Sequence, residues 1–212
     1  DSDTILEIDH IPSSIVIVGA GVIGCEYSTV FSALGSKVTL VNGKAEFLPY
    51  IDGEVLGILR KQMEKEGIIF AMPNRAEGVS VREENGKRVV TAHLDDGSTI
   101  EADMFLYAAG RVGNTDQLNL GAVGLKAESR QILCVDEQYR TPVQNIFAVG
   151  DLIGFPALAS TSMDQGRVAV THMFNLAEFQ RIDQVFPIGV YTIPEVSYAG
   201  ITEEAAKKKN QP

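Results

Sequence analysis

The sequence has no tryptophan, only two cysteines and three histidines, and no apolar run near the roughly 20 residues of a membrane span. Cys25 and Cys134 are far apart and form neither a C-x-x-C pair nor a metal-ligand pattern, so neither a disulfide scaffold nor a metal site is expected. Both are interpreted as buried free thiols of a protein in a reducing compartment, the cytoplasm. The histidines show no partner pattern that suggests metal ligation or general-base work.

Positive charge is also scarce. The 18 Lys and Arg residues are outnumbered by 28 Asp and Glu residues, which gives a formal net charge of −10. This balance argues against nucleic acid or an anionic membrane as a partner, although a local basic site for a phosphate is compatible with it. The composition, 45% hydrophobic and 22% charged, is typical of a soluble globular protein.

The stretch Ile15–Glu26 is the most informative part of the sequence. A β-branched run at Ile15–Val18 leads directly into Gly-x-Gly-x-x-Gly, and a helical pattern follows, as in a dinucleotide-binding βαβ unit. Gly19 allows a tight turn, Gly21 allows the backbone to approach a pyrophosphate, and Gly24 allows close packing of helix on sheet. The alternative is a plain glycine-rich turn.

Strand and helix patterns alternate after this point. Strands are predicted at 15–18, 37–41 and 68–70, and helices at 21–34 and 52–67. This order predicts a parallel sheet with right-handed crossovers. Between residues 75 and 103, short strand patterns separated by Asn85-Gly86 and Asp95-Asp96-Gly97 predict an antiparallel meander. The pattern at Met104–Ala109 predicts another buried strand.

Asn42 stands at the end of the second predicted strand, where an NAD-selective domain carries Asp or Glu to bond the ribose 2′-hydroxyl. A carboxylate would repel the 2′-phosphate of NADP, whereas Asn42 can bond a hydroxyl or a phosphate and Lys44 adds a positive charge. The pair therefore predicts binding of both NAD(H) and NADP(H). The alternative is a surface turn in which Asn42-Gly43 supplies backbone freedom.

Three further stretches follow the glycine motif in the order and spacing of one known family: Ala108–Thr115, Ile146–Asp151, and Gly189–Val196 with Gly200–Glu203. With them, the sequence resembles the two-dinucleotide flavoprotein oxidoreductases, the family of dihydrolipoamide dehydrogenase and glutathione reductase. The stretch Gly150–Ser160 is transhydrogenase-like rather than dehydrogenase-like.

The resemblance implies an α/β fold with a Rossmann-like NAD(P)-binding domain, which combines a parallel sheet with an antiparallel β-meander, and the returning part of an incomplete FAD-binding domain. The implied limits are a connector at 1–12, the NAD(P) domain at 13–115, the FAD part at 116–183, and the start of a truncated dimerisation domain at 184–212. In the FAD part, strands are expected at Ile132–Val135 and Ile146–Val149 and a helix from about Leu158 to Asn175. Family members carry a second glycine motif for FAD, and only one is present here, so the chain is interpreted as a central fragment. The resemblance implies that the full-length protein is a homodimer or larger homo-oligomer.

The resemblance also implies residue roles. Glu26 corresponds to a carboxylate that pairs with a lysine beside the flavin, although a solvated first-turn residue is the alternative. Asp151 corresponds to the residue that hydrogen-bonds the ribitol of FAD, with a simple cap as the alternative. Ala159 begins a helix whose N–H groups face the flavin. Gly110 and Arg111 lie in the pyridine-nucleotide loop, unless Arg111 serves in a surface salt bridge.

The implied activity is hydride transfer between NADPH and NAD through FAD, with the isolated fragment inactive. A dihydrolipoamide dehydrogenase or related flavin disulfide reductase is the alternative within the family, because its cysteine pair would lie outside this chain. A nucleotide-binding module without turnover is the alternative from another class.

Overall fold

The computed structural model describes residues 1–84, 86–178, 180–182 and 185–209. The chain divides into a first unit of residues 1–110 with 187–212 and a second unit of residues 111–186. Among the described residues, no helix has both the length and the apolar character needed to cross a membrane. The boundary predicted between 183 and 184, and the turn residue Asn85, lie outside the described residues. The domain limits stay predictions.

A parallel sheet forms the centre of the first unit, and a second sheet is antiparallel. The elements in chain order are β1 Ser14–Val18, α1 Val22–Ala33, β2 Lys37–Val41, α2 Gly53–Lys65, β3 Ile69–Ala71, β4 Ala76–Glu84, β5 Lys87–Leu94, β6 Thr99–Ala102 and β7 Met104–Tyr107. The parallel sheet has the strand order β3-β2-β1-β7, and the antiparallel sheet has the order β4-β5-β6. The predicted parallel sheet and the predicted meander are both confirmed.

Strand β1 is buried on both faces, which explains its unbroken β-branched sequence. Ile15 and Ile17 belong to the main core cluster, which also contains residues of α1 and α2. Val16 and Val18 point the other way and pack with buried residues of the meander. Because alternate side chains of a strand face opposite sides, helices cover one face of this strand and the meander covers the other.

Residues 187–209 belong to the first unit, where they form β8 Pro187–Val190, β9 Val196–Ala199 and α4 Glu203–Lys208. Val190 is 0% exposed and lies in the main core cluster. Asp52 Oδ1 accepts from the N–H of Glu54 at the start of α2, and its Oδ2 accepts from the N–H of Glu203 at 3.1 Å. Glu204 returns the contact by accepting from the N–H of Gly53 at 3.0 Å. Each helix therefore supplies a carboxylate that caps the other.

The second unit contains one long helix, α3 Ala159–Phe174, and short 3₁₀ turns within its described residues. The strands predicted at Ile132–Val135 and Ile146–Val149 are wrong. A strand needs a neighbour to pair with, and within the described residues of this unit the only β-bridge joins Arg140 and Phe147.

The two cysteines differ in exposure. Cys25 is 0% exposed on α1, and burial raises the pKa of its thiol to about 12. Cys134 is exposed, so the prediction of two buried thiols is wrong for this residue. The reason is that Ile132–Val135, where a strand was expected, belongs to no sheet of the described structure that could cover this side chain.

This difference predicts the outcome of a thiol titration. Ellman's reagent is expected to modify one thiol per native chain at neutral pH, because only an exposed thiolate reacts readily. Addition of denaturant should then release the second thiol. A Cys134→Ser variant is the control and should show almost no rapid reaction; fast labelling of that variant would contradict the burial of Cys25.

Candidate nucleotide-binding site

The turn between β1 and α1 brings the ends of three strands together. The N–H of Gly19 donates to the carbonyl of Val41 at 2.8 Å, and the N–H of Ala108 donates to the carbonyl of Val18 at 2.7 Å. Gly19 has φ +107°, and a Cβ there would lie 2.4 Å from the carbonyl oxygen of Ala108. Only glycine fits both the backbone conformation and the space at this position.

Gly24 is required by packing in the same turn. A Cβ at this position would lie 1.7 Å from the carbonyl oxygen of Gly19. The first turn of α1 therefore rests directly on the backbone of the preceding loop. This is the close helix–strand contact that the sequence motif predicts.

Gly21 has no such explanation within the protein. It is the N-cap of α1 with φ −83°, and a Cβ placed there would meet nothing within 4 Å. No side chain caps the helix, and the first helical bond comes from the N–H of Cys25. The N–H groups of residues 22–24 thus have no acceptor in the described part of the chain. Open space and unpaired donors at a helix N-terminus suit an anionic group.

Asn42 joins the glycine turn to its neighbours. Its Oδ1 accepts from the N–H of Ala20 at 3.4 Å, and its Nδ2 donates to the carbonyls of Lys44 at 2.9 Å and Glu46 at 3.0 Å. Its backbone carbonyl accepts from the N–H of Asn74 at 2.9 Å. Both amide hydrogens are used, so any contact of this side chain with a nucleotide must use the remaining acceptor capacity of Oδ1.

Two cationic side chains lie at this end of β2. Lys44 is exposed in the turn after Asn42. Arg75, in the connection between β3 and β4, packs over Gly43, with its Nε 3.6 Å from the place of a Cβ on that glycine. The sequence predicted Lys44 but gave no signal for Arg75, which the fold brings from 32 positions further along.

Glu26 lies half-buried one turn into α1, and its carboxylate has a partner that the sequence did not indicate. Its Oε1 accepts from the backbone N–H of Tyr191 at 2.7 Å, across 165 residues. The ring of Tyr191 folds over Gly189, where a Cβ would lie 3.3 Å from the ring.

Tyr50 is a further buried group, and its hydroxyl has no hydrogen-bond partner among the described residues. Burial raises the pKa of Tyr50, and Tyr198, Cys25 and Glu26 add to this effect.

The remaining predicted site residues divide between the two units. Gly110 follows β7 with φ +115° and belongs to the first unit. Arg111 is exposed and begins the second unit. Asp151 and Ala159 are exposed residues of the second unit, and the carboxylate of Asp151 has no hydrogen-bond partner within the described residues. The structure thus brings together Gly19, Gly21, Gly24, Asn42 and Lys44 at one edge of the parallel sheet.

Comparison with known proteins supports the family resemblance described under the sequence analysis. The family model for pyridine nucleotide-disulphide oxidoreductases matches residues 1–166. The soluble pyridine nucleotide transhydrogenases of Colwellia psychrerythraea and Vibrio vulnificus are 43% identical over 204 residues and 45% identical over 205 residues. In each case the match covers 96% of this chain and 43% of the relative, so the chain spans less than half the length of these relatives.

Solved structures agree with this relationship. LpdA from Mycobacterium tuberculosis matches with a TM-score of 0.85 and 30% identity, covering 96% of this chain and 43% of that one. The HOCl-induced flavoprotein disulfide reductase RclA from Escherichia coli, as a Cu(II) complex, matches with a TM-score of 0.87 and 28% identity, covering 98% of this chain and 47% of that one.

Proposed function

The chain belongs to the pyridine nucleotide-disulphide oxidoreductase family, and from this premise we propose that its first unit binds a pyridine dinucleotide at the N-terminus of α1. The observation that carries the proposal is the open position at Gly21. Protein packing accounts for Gly19 and Gly24, whereas a Cβ at Gly21 would meet nothing within 4 Å, so the backbone is open to a ligand beside the first turn of α1. The unpaired N–H groups of residues 22–24 would then bind the pyrophosphate.

The whole protein is proposed to be a flavoenzyme that transfers hydride between NADPH and NAD. In the second unit, α3 begins at Ala159 without a side-chain cap, and Asp151 presents an exposed carboxylate. These groups fit the pyrimidine edge and the ribitol hydroxyls of FAD, which would supply hydride acceptance and donation when bound. Gly110 and Arg111 are proposed to contact the pyridine nucleotide, and Glu26 to face a cationic partner with the carboxylate oxygen that Tyr191 leaves unused.

Relatives at 43% and 45% identity are named soluble pyridine nucleotide transhydrogenases, whereas the structural matches named LpdA and disulfide reductase are 30% and 28% identical. The higher identity favours transhydrogenation over disulfide reduction. A cytoplasmic location and a homodimer or larger homo-oligomer are parts of the same proposal.

The proposal is tested on the full-length protein by reduction of thio-NAD with NADPH. Transfer to thio-NAD, together with no turnover of lipoamide or glutathione disulfide, is the expected result. Turnover of a disulfide in place of thio-NAD would favour the alternative within the family. On the present chain, fluorescence titration with NADPH and with NADH should show binding of both.

Asn42→Glu is expected to weaken NADPH binding by about tenfold or more while leaving NADH binding nearly unchanged. The introduced carboxylate would repel the 2′-phosphate and can accept a hydrogen bond from the ribose hydroxyl of NADH. Titration of the chain with both nucleotides measures the ratio. Asn42→Gln, which has the same length without the charge, is the control. Equal NADPH affinity in the wild type and in Asn42→Glu would remove the support for selectivity at this position.

A further inference from the structure

A phosphate bound at the end of β2 would require hydrogen-bond donors, and the side chain of Asn42 has no unused donor. Its Nδ2 hydrogens are engaged by the carbonyls of Lys44 and Glu46. Its Oδ1, which already accepts from Ala20, is itself an acceptor. A dianionic 2′-phosphate offers acceptors only, so it requires hydrogen-bond donors and positive charge from other residues.

Arg75 is held beside this position by its backbone. Asn74 donates its N–H to the carbonyl of Asn42 at 2.9 Å. Arg75 itself donates its N–H to Asp95 Oδ1 at 2.9 Å, and the N–H of Asp95 donates back to the carbonyl of Arg75 at 2.9 Å. The connection between β3 and β4 is thus fastened both to the end of β2 and to the turn after β5.

The side chain of Arg75 packs beside Gly43, at the end of β2. Its Nε and Cβ lie 3.6 Å and 3.7 Å from the place of a Cβ on Gly43. Arg75 is exposed, and its guanidinium has no ion pair or hydrogen bond with the described residues, the neighbouring carboxylate of Asp95 included. Its planar set of donors is therefore available to a ligand at the end of β2.

We propose that Arg75 binds the 2′-phosphate of NADP(H), and that Lys44 adds a second positive charge there. Arg75, in the β3–β4 connection, then determines the preference for NADP(H) over NAD(H). Asn42 stabilises the turn through its hydrogen bonds and, being uncharged, does not repel the phosphate. This inference rests on the proposed dinucleotide site. It adds a specificity residue that comes from a different strand connection.

The test measures the affinity of the chain for NADPH, NADH, 2′,5′-ADP and 5′-ADP by isothermal titration calorimetry. Arg75→Gln is expected to weaken NADPH and 2′,5′-ADP by about tenfold to thirtyfold, the usual range for losing a charge-assisted hydrogen bond. NADH and 5′-ADP should bind as in the wild type. Arg75→Lys, which keeps the charge without the fork of donors, should restore part of the loss.

Lys61→Gln is the matched control. It removes one positive charge from the same unit, but Lys61 lies on α2 beside Ile193 and Pro194 rather than over Gly43. It should change none of the four affinities. A similar loss for Lys61→Gln would mean that net charge alone is responsible and would overturn the assignment.

Other outcomes separate this inference from the proposed function. If the wild-type chain binds both NADPH and NADH, and Arg75→Gln weakens both equally or neither, the assignment of Arg75 is wrong and the dinucleotide site stands. If the wild-type chain binds none of the four compounds, both proposals are overturned.

Discussion

Replacing Gly24 by alanine is expected to destabilise the first unit by at least about 3 kcal/mol and to abolish nucleotide binding. The new Cβ would lie 1.7 Å from the carbonyl oxygen of Gly19. The backbone at Gly19 has little room to shift, because it packs closely on Ala108: a Cβ on Gly19 would lie 2.4 Å from the carbonyl oxygen of Ala108. The helix propensity gained from alanine, about 1 kcal/mol, does not offset such a clash.

Gly21→Ala is the matched variant, since the same methyl group meets nothing within 4 Å there. Its unfolding free energy should change by less than about 1 kcal/mol. NADPH affinity should nevertheless fall by about tenfold or more, because the methyl group would occupy the space proposed for the pyrophosphate. Urea unfolding followed by circular dichroism and NADPH titration separate the two effects. A stable Gly24→Ala, or a Gly21→Ala that binds normally, would contradict this division of roles.

Truncating the chain after Phe186 is expected to destabilise the first unit by at least about 3 kcal/mol. The removed segment contains Val190, which is 0% exposed in the main core, and Ile188, which is 8% exposed. It also contains Glu204, which caps α2 at Gly53. The truncated chain would expose the core surface that β8 covers.

Urea unfolding of the truncated and complete chains measures this effect. Val190→Ala, which removes only part of one side chain, should cost about 1 to 3 kcal/mol. Lys207→Ala is the control, because its exposed ion pair with Glu203 contributes little. An unchanged midpoint after truncation would show that residues 187–209 are not an integral part of this unit.

Much of the first unit could be predicted from local sequence. The β-branched run of β1, the helical spacing of α1 and the glycine motif each depend on residues close together in the chain. The second helix, expected to start at residue 52, begins after Asp52 in the structure, and Asp52 caps it by accepting from the N–H of Glu54. Patterns of this kind carry enough information because the structure they specify is mostly local.

Other features depend on contacts that no local pattern contains. The amide partners of Asn42 come from residues 20, 44 and 46, and the donor to Glu26 comes from residue 191. The segment Ile132–Val135 has a strand-like sequence, yet strand formation requires an edge to pair with. Arg75 reads as an ordinary surface residue until the fold places it over Gly43.

The hydrogen bond between Glu26 and Tyr191 links the helix of the proposed nucleotide site to the end of β8. Because free-energy coupling between two sites is reciprocal, anything that pulls the Glu26 carboxylate away must also loosen residue 191, and anything that strains residue 191 must shift the carboxylate. The amide proton of Tyr191 is therefore an internal reporter of the state of Glu26. The hydrogen-exchange rate of this amide would change when the Glu26 carboxylate, at the first turn of α1, moves or changes its partners.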